Sequence, residues 1–166
     1  MSNTRISEWF NLYSNDIYQF LIYFIGSSDV EDLVQEVFIR AIKNVDNFEE
    51  KSSPKTWLIS IARHVGIDEI RRKQRLRVKN LIFMDSQAIS QFQTPEDFLN
   101  LNETKKDLYK AIRKLKTNYR EVIILRGIKE LTIEETAEIL NWKEEKVRLT
   151  FHRAIKALQK GKEGFL

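Results

Sequence analysis

Apolar residues recur at helical spacing along almost the whole of this chain, and no Asn-Gly or Asp-Gly hairpin dipeptide interrupts them. Strands would need period-two alternation and turn signals, so the expectation is an all-α fold. A first helix is expected after Ser7, running through Trp9, Leu12, Tyr13, Ile17, Phe20, Leu21 and Phe24 and closing at Gly26. Ser28, with Glu31 three residues on, reads as a capping box for a second helix. Its buried face would carry Val30, Leu33, Val34, Val37, Phe38, Ala41 and Ile42, while Asp32, Gln35, Glu36 and Arg40 point elsewhere. A loop at 46–54 then leads into a third helix, and the three can bury one shared core.

That third segment, residues 55–75, is the most informative for function. Leu58, Ile61, Ala62 and Val65 share one side of the helix at 100° per residue. Trp57, Ser60, His64, Asp68 and Arg71 form another strip at i, i+3 and i+4 spacing, and Arg72, Lys73, Arg75, Arg77 and Lys79 follow almost without interruption. An indole beside so much positive charge suits single-stranded nucleic acid, whose bases stack on aromatic faces while cations track the phosphates. The alternative is that Trp57 belongs to the core and the basic run is a solvated helix end, favourable to the C-terminal dipole. The segment by itself leaves both readings open.

With 166 residues the chain allows one domain or two small ones. Its net charge of +4 favours an anionic partner, and the distribution says more than the sum. Asp29, Glu31, Asp32 and Glu36 form an early acidic patch, whereas 63–79 and 143–162 are mainly basic, which suggests a protein partner as well as a nucleic acid. The apolar runs are short of the ~20 residues a membrane span needs, and MSNTRISEWF is polar before any apolar stretch, so neither a span nor a signal peptide is expected. Cysteine is absent, which excludes disulfides and thiolate metal sites and fits a cytoplasmic protein. The two histidines, His64 and His152, form no HExxH-like site, and the five glycines form neither a P-loop nor a dinucleotide fingerprint. No cofactor, metal or catalytic activity is therefore expected.

From about Leu76 to Thr94 the periodicity breaks, and residues 76–94 read as a flexible linker, although the apolar run at 81–84 is odd for a solvated tether. Thr94, Pro95 and the acidic pair Glu96-Asp97 mark a new helix start. A long helix through Leu115, another from Tyr119 to Gly127 and two more should follow. In the last pair, Thr132 and Glu135 form a capping box, Ala137 is small where two helices must approach, and Asn141 can take the left-handed turn conformation. A final helix beginning near Lys143 would bury Val147, Phe151, Ala154, Ile155 and Leu158 and present Lys146, Arg148, Thr150, His152, Arg153 and Lys156. This is the layout of a helix-turn-helix whose second helix enters the major groove. The expected architecture is two small helical domains, 1–75 and 95–166, on a tether.

Three stretches taken in order, EDLVQEVFIRAIKNVDNF, TWLISIARHVGIDEIRRK and LTIEETAEIL…KVRLTFHRAIKAL, resemble the extracytoplasmic-function group of bacterial RNA polymerase sigma factors. The resemblance covers nearly the whole chain. It implies an initiation factor that binds core RNA polymerase and promoter DNA, duplex and melted, with an anti-sigma factor as a further expected partner. Asp32, Leu33, Gln35 and Glu36 would grip the clamp of the largest polymerase subunit. Asn47, Lys51, Ser53, Lys55, Trp57, Arg63, His64, Arg71 and Arg72 would melt and read the −10 element, and the basic set on the final helix would read the −35 element. Two departures stand out: His64 replaces the family's usual asparagine, and the segment 142–146 replaces its usual proline- and glycine-containing entry to the reading helix. No base preference is carried over. A helix-turn-helix regulator that never opens DNA is the competing reading.

Overall fold

The computed structural model describes residues 2–83 and 103–163. Seven α-helices account for most of them: α1 (Ser2–Ile25), α2 (Glu31–Asn44), α3 (Pro54–Phe83), α4 (Glu103–Lys114), α5 (Thr117–Val122), α6 (Ile133–Leu140) and α7 (Glu144–Glu163). A 3-10 turn (Val45–Asn47) follows α2, and a π-helical segment (Ile123–Ile128) continues α5.

Helices α1–α3 pack on one another as the first domain. Ile17, Phe20, Leu21, Val37, Ala41, Leu58, Ala62 and Val65 are buried at the spacings expected of them. Gly66 is required where α1 crosses α3, because a Cβ there would lie 2.6 Å from the Phe24 ring. Gly26 ends α1 with φ of +82°, as its position suggested.

Several expectations change. The first helix starts at Ser2 rather than after Ser7, because Ile6 joins the core and continues the stripe N-terminally. Ser28 does not cap α2: the N-cap is Val30, fully buried, and the Ser27 hydroxyl accepts from the Asp29 amide instead. Burying Val30 turns the entry so that no side chain there reaches the first-turn amides. Ile42, assigned to the buried face, is 47% exposed, because the stripe passes from Ala41 to Val45. Leu12 is exposed as well.

Helix α3 continues through Phe83, so the first eight positions assigned to the linker are helical. Residues 76–83 contain no Gly or Pro, so nothing stops the helix. Leu76 and Val78 are exposed because α3 here has left the core, and amphipathic periodicity vanishes where there is no core to face. These eight residues span about 12 Å as helix rather than about 26 Å extended. Met84, the rest of the proposed linker and the helix start at Thr94-Pro95 lie outside the described residues.

In the second domain α5 packs on α7, and α6 crosses α7. The Thr132–Glu135 capping box is present in both directions: the Glu135 amide donates to the Thr132 hydroxyl (3.0 Å) and the Thr132 amide to Glu135 Oε1 (2.9 Å). Asn141 adopts the left-handed conformation (φ 56°, ψ 46°), and the Trp142 amide returns to the Ala137 carbonyl at 3.0 Å. The buried apolar residues of the two domains form one continuous cluster, from Ile6 through Val65 to Ile112, Leu125 and Ala154.

Candidate polymerase and nucleic-acid interfaces

On α2, Asp32 and Gln35 are exposed while Leu33 and Glu36 are half-buried. Glu36 accepts from Arg40 Nε at 3.0 Å, and Arg40 Nη2 reaches Asp68 on α3 at 3.3 Å, which fixes the helix and the face it shows. Ile39 is 45% exposed beside them, so with Ile42 this face is acidic with an apolar centre, the composition of a protein dock. The sequence reading missed Ile39; its position at i+4 from Gln35 was the signal.

The expected −10 residues divide into three groups. Asn47, Lys51, His64, Arg71 and Arg72 are exposed, with Lys51 paired to Glu49 and Arg72 to Glu69. Ser53 caps α3: its hydroxyl accepts from the Thr56 amide at 3.1 Å. Trp57 is half-buried in an aromatic cluster, its ring centroid 5.1 Å from Phe48 and 5.9 Å from Trp9, with the Arg5 guanidinium over Trp9. The indole is thus partly core, and one part of its surface remains accessible.

Lys55 and Arg63 form the third group, held by the second domain. Lys55 Nζ donates to the Lys129 carbonyl at 3.4 Å and lies 3.9 Å from Asp16. Arg63 donates from Nε and Nη2 to the two oxygens of Glu121, at 3.3 and 3.4 Å. Between them, the Thr56 hydroxyl donates to Glu135 Oε2. Burial alone would push the Glu135 carboxyl up, but the bonds from Thr56 and Thr132 and the charge of Lys55 hold it below its ordinary range.

The seam has two more polar ties. Lys129, with its side chain 2% exposed, donates to Asp16 (3.1 Å) and Gln19 (2.7 Å) on α1, and burial pulls its ammonium below the ordinary lysine range. Glu130, at φ 56°, turns the chain directly after it. Arg113 Nη1 donates to the last-turn carbonyls of α1 at Tyr23 and Phe24. None of these ties was read from the sequence. A lysine between the apolar residues of IILRGIKEL was the one visible hint.

On α7 the basic set lies free of the seam. Lys146, Arg148, His152, Arg153 and Lys156 are exposed and Thr150 is half-buried, while Val147 and Ala154 are fully buried on the opposite face. Lys146 stacks over the Trp142 ring at 4.2 Å, and Arg148 pairs with Glu144 at 3.5 Å, an exposed i,i+4 contact that a phosphate can displace at little cost.

Residues 9–76 match the Sigma-70 region 2 model and residues 105–158 the Sigma-70 region 4 model. The chain is 40% identical over 158 residues to the ECF RNA polymerase sigma factor SigX of Bacillus subtilis, covering 93% of this chain and 81% of SigX. The chain belongs to the extracytoplasmic-function group of the sigma-70 family. It is also 35% identical to SigW of the same organism, over 90% of this chain and 84% of SigW. The fold superposes on the sigma factor RpoE of Bartonella quintana, solved in complex with the anti-sigma factor NepR, with TM-score 0.74, 28% identity and coverage of 95% and 96%. As a sigma factor of this group the chain directs core RNA polymerase to promoters. No described helix is long and apolar enough to cross a membrane.

Proposed function

We propose that this sigma factor docks the polymerase through the α2 face of Asp32, Leu33, Gln35 and Glu36, extended by Ile39. It reads and melts the −10 element with α3 and the preceding loop, and reads the −35 element with the exposed face of α7. The docking and melting unit is residues 1–75 with its helical extension to Phe83, and the −35 unit is residues 95–166. The protein acts in the cytoplasm, catalyses nothing itself and is open to capture by an anti-sigma factor.

The observation that carries this reading is the contrast between the two DNA-facing sets. The α7 set is exposed and needs no rearrangement to meet a major groove. In the −10 set, Lys55 and Arg63 are tied by the second domain. The domains therefore separate before α3 engages a melted strand, and two promoter elements bound at a distance hold them apart. Melting proceeds by capture of unstacked bases at Trp57 and its cationic neighbours while the polymerase holds the duplex. Run-off transcription with purified core polymerase tests the assignment. Promoter-specific transcript is expected with the wild-type chain and is lost with Asp32→Ala/Gln35→Ala. A double variant that supports wild-type transcription overturns the dock, and duplex binding without any opening favours a regulator that never melts DNA.

A further inference from the structure

A cleft of about 300 Å³ lies at the domain seam, lined by α3 and the end of α1 from the first domain and by α4 and α5 from the second. Four cations line it: Lys73 and Arg77 of α3, Arg113 of α4 and Arg120 of α5. Among the described residues the one carboxylate in the lining is Glu121, which is shared with Arg63.

Two of these cations are fixed in place by backbone. Arg113 Nη1 donates to the Tyr23 and Phe24 carbonyls at 3.2 and 2.9 Å, and its guanidinium rests on Gly26, where a Cβ would come within 2.5 Å of Nε. Arg120 donates from Nε to the Ile112 carbonyl (3.4 Å) and from Nη2 to those of Arg113 and Leu115 (both 2.9 Å). The hydrogen-bond partners of both are carbonyls, which orient the guanidiniums, and the charge of Glu121 also acts on Arg120. Burial lowers the pKa of each below the ordinary arginine range, and the charge of Arg120 lowers that of Arg113 further. Two oriented, desolvated guanidiniums that repel one another form a preorganised clamp for an oxyanion.

We propose that this cleft binds a compact free polyphosphate, of the pyrophosphate or nucleoside-polyphosphate class, that bridges the two domains. Charge density selects this class. A nucleic-acid backbone brings a single negative charge per phosphate, whereas a terminal phosphate alone carries about −1.5 to −2, and four cations surround one small space. A ligand touching both walls binds the closed arrangement and not the open one, so it stabilises closure by mass action.

The test uses the full chain and sodium pyrophosphate at fixed ionic strength, read by titration calorimetry and by the thermal midpoint, with sulfate and a non-promoter single-stranded oligonucleotide as comparisons. Saturable one-to-one binding and a raised midpoint are expected. Lys73→Gln/Arg77→Gln should weaken binding at least tenfold with helicity unchanged by circular dichroism. Arg153→Gln/Lys156→Gln, an equal charge loss on α7, should leave it within twofold. Absence of binding overturns the proposal, as does equal loss in both double variants, which marks diffuse attraction. A sulfate response matching that of pyrophosphate marks an adventitious ion only. Oligonucleotide binding with the same variant dependence and no pyrophosphate binding assigns the cleft to a nucleic-acid backbone and overturns the free ligand. None of these readouts depends on transcription, so the outcome is separable from the promoter assignments.

Discussion

Replacing Glu121 with Gln should open the molecule without unfolding it. Glu121 is 7% exposed on its side chain and Arg63 21%, so the pair is largely shielded from water. Glutamine keeps the volume and one acceptor, but it converts a two-point, charge-assisted contact into a neutral one. Hydrogen bonds to charged groups contribute about 1.5–3 kcal/mol and neutral ones about 0.5–1.5, so the difference is about 1–2 kcal/mol. That corresponds to a roughly 5–30-fold fall in the closed-to-open ratio. The chain has no native cysteine, so dyes placed on Lys43→Cys and Gln159→Cys report one distance each in single-molecule energy transfer. Both positions are exposed, one on α2 and one on α7. A growing long-distance population with unchanged helicity is expected. An unchanged distance distribution refutes the role of this pair in closure, and loss of helicity shows that Glu121 holds the second domain together instead.

Asp32→Ala with Gln35→Ala should weaken association with core polymerase and leave circular dichroism unchanged, since both side chains lie off the buried stripe; wild-type affinity in a pull-down with core would place the dock elsewhere. On α7, Arg153→Ala should cost about 1–3 kcal/mol and relax preference at one −35 position if it contacts a base edge, whereas Lys156→Ala should lower affinity evenly and flatten the salt dependence; equal, sequence-independent effects in a binding-site selection would remove the −35 assignment. Glu135 has a depressed carboxyl pKa in the folded state, so its contribution is complete above the ordinary carboxylate range near ~4.3 and is lost as pH falls through the lower folded value. Acid should therefore lower the thermal midpoint more in wild type than in Glu135→Gln, and parallel pH profiles would show that the carboxylate does not couple the cap to the seam.

Local signals carried much of the fold. The Thr132–Glu135 cap, the left-handed Asn141 and the Gly26 stop are decided by interactions within a few residues, and the sequence states them directly. The failures share a different cause. Ser28 looked like a cap because its spacing to Glu31 is right, but burial of Val30, a tertiary demand, set the chain's path. Residues 76–83 looked like a linker because apolar periodicity is a record of packing, and a helix projecting beyond its core leaves no such record.

The site was legible to the extent that it faces solvent. Exposed sets on α2 and α7 follow from the polar side of an amphipathic pattern, so Asp32, Gln35, Arg148 and Arg153 stand where expected. Ser53 and Trp57 were read as DNA contacts, and the fold gives them structural duties as well: one caps α3 and the other joins Trp9 and Phe48. The seam was invisible because its partners are far apart in sequence. Arg63 meets Glu121, Thr56 meets Glu135 and Asp16 meets Lys129, and no spacing rule links such pairs.

The most direct test of α3 as the −10 reader is permanganate footprinting of melted thymines on a library of −10 sequences, comparing wild type with His64→Ala in complex with core polymerase. His64 is exposed, seven residues from Trp57 and so about 10.5 Å along the helix axis, with room for an extruded strand between them. Its imidazole can offer a donor or an acceptor to a base edge. The variant should bind core as wild type does and open a different set of −10 sequences. Identical opening profiles at equal core binding would contradict the role of this strip in reading the promoter.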